Sequence, residues 1–114
     1  MVKLNIYNGN IILDSYSFSF KSNSNELKSM FLKDLLLWVV NDEYETYKLI
    51  YSENLIVLFH FFKDNLYSIE LYSNDNSSEN ILKTIGGEKK YNWGSVFLNI
   101  DIKAGYKSVI VQYK

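Results

Sequence analysis

Apolar and polar positions alternate over much of this chain, and the alternation predicts strands. In VKLNIY (2–7), Val2, Leu4 and Ile6 share one side. Asn8-Gly9-Asn10 then offers residues that tolerate the positive φ of a tight hairpin turn. The next run, IILDSYSFSF (11–20), reads as one half-buried strand, because Tyr16, Phe18 and Phe20 alternate with Ser15, Ser17 and Ser19. After the polar segment KSNSNE the period lengthens. Asn23 and Glu26 stand three apart, as in a capping box. Leu27, Phe31, Leu35, Trp38 and Val39 then fall on one side of a helix running from about Asn25 to Asn41, with Leu32 and Leu36 widening its apolar stripe.

Three strands follow in quick succession: TYKLIYS (46–52), LIVLFHFF (55–62) and LYSIELYS (66–73), joined by turns at Ser52-Glu53-Asn54 and Lys63-Asp64-Asn65. Connections this short imply an antiparallel meander. The middle strand is apolar on both sides, which predicts a central position with cover on each face. Asn76 and Glu79 mark a second capping box, opening a short helix that stops at Gly86-Gly87. SVFLNIDI (95–102) and YKSVIVQY (106–113) close the chain as a hairpin, with Gly105 in its turn. The predicted class is α+β: a curved, mostly antiparallel sheet in the order ββαβββαββ, packed against one long and one short helix, as a single domain over 1–114. One long helix cannot cover both faces of seven strands. Either the sheet curls strongly, or one face, carrying aromatics such as Tyr7, Tyr47, Tyr51 and Tyr72, is left for a partner.

Composition narrows the function classes. A formal net charge of −1 gives no general attraction to nucleic acid or anionic lipid. All twelve basic residues are Lys, so the side chain best suited to bidentate phosphate or guanine contacts is missing. With no Cys there are no disulfides or thiolate ligands. The apolar stretches FLKDLLLWVV and LIVLFHFF are too short to span a bilayer, and MVKLNIYNGN lacks a signal-peptide core, so the expected location is the cytoplasm.

Chemistry has few candidates. His60 is the sole histidine, set within an apolar run, with Asp64 and Glu70 as the nearby carboxylates. Catalysis would need one of these acids and an accessible pocket; the simpler expectation is a packed, hydrogen-bonded histidine. Zinc lacks a ligand set, and NDNSSE lacks the ligand order of a calcium loop, so no metal or cofactor is expected. Gly86-Gly87 follows a helix instead of preceding one, which disfavours a phosphate cradle.

A small α+β chain rich in Tyr, Asn and Lys, ending in the aromatic-Gly hairpin WGSVFLNIDIKAGYKSVIVQY, resembles bacterial immunity proteins, which neutralise secreted or contact-delivered toxins. The resemblance implies a non-enzymatic inhibitor whose partner is a cognate toxin domain, bound through acidic and aromatic residues. Asp42, Glu43, Glu45, Tyr47, Tyr51, Glu70, Tyr72 and Asp75 are the expected contact residues. The near-neutral charge departs from inhibitors of basic nucleases. The alternatives are an apolar-ligand binder, with a pocket between helix and sheet lined by Phe18, Phe20, Trp38 and Phe59, and a small enzyme using His60.

Overall fold

The computed structural model describes residues 2–73 and 77–114. Their elements are β1 (Val2–Leu4), β2 (Ile11–Leu13), β3 (Tyr16–Phe18), α1 (Ser24–Phe31), a 3-10 turn (Leu32–Asp34), β4 (Leu35–Asn41), β5 (Tyr44–Ser52), β6 (Leu55–Phe62), β7 (Asn65–Tyr72), α2 (Ser78–Thr84), β8 (Lys89–Tyr91), β9 (Gly94–Asp101) and β10 (Tyr106–Tyr113). The class is α+β. All strand pairs are antiparallel, in a three-stranded sheet β1-β2-β3 and a seven-stranded sheet β4-β5-β6-β7-β10-β9-β8.

Turn chemistry explains most boundaries. Lys63 and Asp64 both take positive φ, the geometry of a two-residue hairpin matched to strand twist. Gly9 lies at φ +78 with its Cα against the Trp93 ring, where a Cβ would come within 2.5 Å, so backbone and packing both call for glycine. After α2, Gly86 and Gly87 turn the chain with positive φ, and the Gly87 N–H bonds the Leu82 carbonyl. The Asn23 side chain accepts from the Glu26 N–H and caps α1. The second expected cap, at Asn76, lies outside the described residues.

Four expectations are corrected. The long helix ends after eight residues, at Phe31, and LLLWVVN forms β4 instead. Its backbone pairs with Tyr44–Leu49 across a turn in which Asp42 takes φ +55. The β-branched and aromatic side chains Trp38, Val39 and Val40 fit that ladder. The run 11–20 is two strands, because Asp14 at φ +54 folds Leu13 back onto Tyr16. The first strand stops at Leu4, leaving Ile6 and Tyr7 exposed in the turn. A short edge strand, β8, is added before the terminal hairpin.

The core lies on one side of the large sheet. Leu55, Val57, Phe59 and Phe61 of β6, Ile69 and Leu71 of β7, and Val109 and Val111 of β10 meet Val2, Ile11, Leu13 and Phe18 of the small sheet, Leu27 and Phe31 of α1, and Ile85 after α2. The Phe18 ring packs edge-on against Phe59, with centroids 5.0 Å apart. The terminal hairpin clasps the N-terminal turn. Trp93 Nε1 donates to the Ile6 carbonyl at 2.9 Å, and the Tyr113 hydroxyl donates to the Gly9 carbonyl at 2.7 Å. Burial pushes the pKa of Tyr113 upward.

Candidate functional site: the open face and free edge of the large sheet

With both helices and the small sheet committed to one side, the other face of the large sheet carries no covering layer among the described residues. Strand alternation puts Thr46 and Lys48 of β5, Ile56, Leu58 and His60 of β6, Glu70 and Tyr72 of β7, and Ser108 and Ile110 of β10 on that face. β6 is interior and buried on both faces, as expected, although among the described residues no second layer lies over Ile56 and Leu58. These two are 5% and 8% exposed and stand outside the main core cluster.

A polar chain runs through the middle of this face. The Glu70 carboxylate, 7% exposed, accepts from the Ser108 hydroxyl at 2.6 Å and pairs with His60 Nε2 at 3.2 Å. A carboxylate only accepts, so in the neutral ring Nε2 bears the proton and Nδ1 accepts from the Thr46 hydroxyl at 2.8 Å. Burial alone would raise the Glu70 pKa. The hydrogen bonds from His60 and Ser108, with the attraction of His60, outweigh it and hold the carboxyl below its ordinary value. Hydroxyl, imidazole and carboxylate stand in the order of a hydrolytic triad. Thr46 sits on a strand paired on both sides, to Val39 and to His60, in the interior of the sheet. Asp64, the other acid considered for His60, instead accepts from the N–H and hydroxyl of Ser24 at the start of α1.

Beside this chain lies an aromatic group. Tyr44 packs against Phe62 at 4.7 Å and edge-on to Tyr67 at 6.0 Å, and Tyr67 neighbours His60 at 6.2 Å. The group continues onto β4, where Leu36, Leu37, Trp38, Val39 and Val40 are 48–59% exposed. Lys48 Nζ sits 4.0 Å over the Trp38 ring. β4 ends the sheet, so one side of its backbone has no partner strand among the described residues.

The expected contact residues are dispersed. Asp42 and Glu43 form the β4–β5 turn; Glu43 faces Lys63 at 3.7 Å, and Glu45 is half-buried just inside β5. Tyr47 is corrected to a core position, with its ring against Phe61 and 4% exposure. The Tyr51 hydroxyl donates to Asp14 of the β2–β3 turn, and that bond, with some burial and the nearby negative charge, raises its pKa to about 12. Glu70 is buried within the polar chain. Tyr72 packs against Tyr106 at 5.3 Å on the open face. Asp75 lies outside the described residues. Reading 35–41 as a helix hid the exposed β4 side chains; the signal for them was the crowding of Trp and Val immediately before an Asp-Glu turn.

The four residues expected to line an apolar pocket do not converge. Phe18 and Phe59 fill the core against each other, while Phe20 and Trp38 are exposed. A cleft of about 460 Å³ opens elsewhere, where Val2, Leu55, Asn80, Ile81 and Thr84 meet. Among the described residues no cluster of His, Cys, Asp or Glu is arranged to hold a metal, and no helix is long and apolar enough to cross a membrane.

No family model matches the chain, and no curated protein matches it. Among solved structures, it is similar to a chain of the structure described as "Rhs1-CT in complex with cognate immunity protein RhsI1". The TM-score is 0.66 at 15% identity, covering 100% of this chain and 88% of that one. The shared fold is thus one found in a toxin–immunity complex.

Proposed function

We propose that this chain is an immunity protein that binds a cognate bacterial toxin domain in the cytoplasm and neutralises it by contact, without catalysis of its own, as a single folded unit over 1–114. The observation that carries this reading is the uncovered apolar and aromatic surface of β4, β5 and the adjoining open face, on a fold also found in a toxin–immunity complex. Trp and Tyr set beside aliphatic side chains are the residues from which binding hot spots are built. Asp42, Glu43 and Glu45 border this surface at the β4–β5 turn, and Tyr72 extends it toward β10. Tyr47, Tyr51 and Glu70 act from beneath or beside it, by holding strands in place. The His60 chain is read as a structural clasp, because its hydrogen bonds join β5, β6, β7 and β10 side by side.

The test is co-expression with the domain encoded immediately upstream of this chain's gene. The expected result is a stable complex on gel filtration and restored growth of cells producing that domain. Absence of both complex and protection overturns the reading.

A further inference from the structure

The two edges of the large sheet are treated differently. β8 is three residues long and carries Lys89 and Lys90, which is how soluble proteins blunt an edge. β4 is seven residues long, uncharged, and apolar on both of its side-chain faces. By register, Leu36 and Val39 lie toward the open face, and Leu37 and Val40 toward the core side. A partner lying flat on the open face would leave Leu37 and Val40 in water. A strand added to the edge covers both rows and also satisfies the free backbone groups.

Resting on the immunity reading, we infer that the toxin partner engages β4 by strand addition, through an apolar strand with a cationic end that meets Asp42 and Glu45. Two quantities support this occupant. With about half of each side chain accessible, the β4 row together with Tyr44 and Ile50 presents on the order of 600 Å² of apolar surface, divided between the two faces that meet at the edge. Only an occupant that reaches round the edge contacts all of it, approaching the ~800 Å² each partner contributes to a stable complex. The charge at the two ends of β4 is unequal. Lys33 and Asp34 cancel at the start, whereas Asp42 and Glu45 at the far end have no cation within ion-pair distance among the described residues. A second copy paired antiparallel would bring its neutral Lys33–Asp34 end there, and one paired parallel would bring more acid. Neither compensates these carboxylates; a lysine- or arginine-ended strand does.

The experiment compares Leu37→Lys, Val39→Lys and the pair Asp42→Asn with Glu45→Gln, at exposed positions except the half-buried Glu45, and each is checked for native melting. Binding to the domain encoded upstream is measured by calorimetry, and amide exchange of β4 is followed by NMR. Strand addition predicts at least ~10-fold weaker binding for each lysine variant, on either face, and a smaller, salt-dependent loss for the neutralised pair. It also predicts slowed exchange of β4 amides in the complex. Complex formation that all variants preserve, or that leaves β4 amides unprotected, overturns strand addition while the immunity reading stands. If the upstream domain neither binds the wild type nor is neutralised by it in cells, the immunity reading fails. A synthetic strand of alternating Val and Thr with two terminal Lys then decides the edge: shift changes confined to β4 support it, and no response at about 1 mM overturns it. A dimer of this chain alone that Leu37→Lys splits assigns the edge to a second copy and also overturns the proposal.

Discussion

Removing the Glu70 carboxylate tests whether the open face is held by its polar chain. Glu70→Ala takes away an acceptor that serves the fully buried Ser108 hydroxyl at 2.6 Å and His60 at 3.2 Å. Each bond to a charged acceptor contributes about 1.5–3 kcal/mol, and the buried methylenes add more. Part of the loss is returned, because the charge no longer has to be desolvated. The net expectation is about 3 kcal/mol, or about 12 °C in melting temperature for a domain of this size. Glu70→Gln keeps one acceptor and should lose roughly half as much. The pH dependence gives a second check. The folded pKa lies below the ordinary 4.5, so this contribution is present above the unfolded pKa and is lost as pH falls through the folded one. Thermal melts of wild type and both variants should differ most at neutral pH, and the gap should narrow as pH falls through the folded pKa. Melting within about 2 °C of wild type at neutral pH, or a gap that persists unchanged in acid, would refute the account.

Four further outcomes are expected. Gly94→Ala places a Cβ 2.0 Å from the Gln112 carbonyl oxygen, a backbone atom that cannot swing aside, and should lose about 2–4 kcal/mol in chemical denaturation. Gly87→Ala, with φ +81 but open space, should lose only about 1 kcal/mol. Asn23→Ala removes the cap that accepts the Glu26 N–H and should lose about 1 kcal/mol by the same assay. Ultraviolet titration should show Tyr51 ionising near pH 12, returning toward 10 in Asp14→Asn; its raised pKa makes its stabilising contribution complete below the unfolded value and lost as pH rises through the folded one.

What the sequence determined by itself was local. The strands β6 and β10, the Lys63-Asp64 and Gly105 turns, the Asn23 cap and the Gly86-Gly87 stop all follow from side chains acting on their own backbone, and the structure has each of them. The His60–Glu70 pairing was legible as a short list of two acids, since adjacent antiparallel strands bring only nearby positions together. Tertiary structure decided the rest. LLLWVV satisfies a helical stripe as well as a strand, and only the ladder to β5 resolves it. The placing of β10 between β7 and β9, and the packing of the small sheet and both helices on one side, depend on contacts between residues far apart in sequence. Those elements gather over the middle of the sheet, so the edge strand β4 stays exposed on both of its faces, because packing is densest where strands have neighbours on each side.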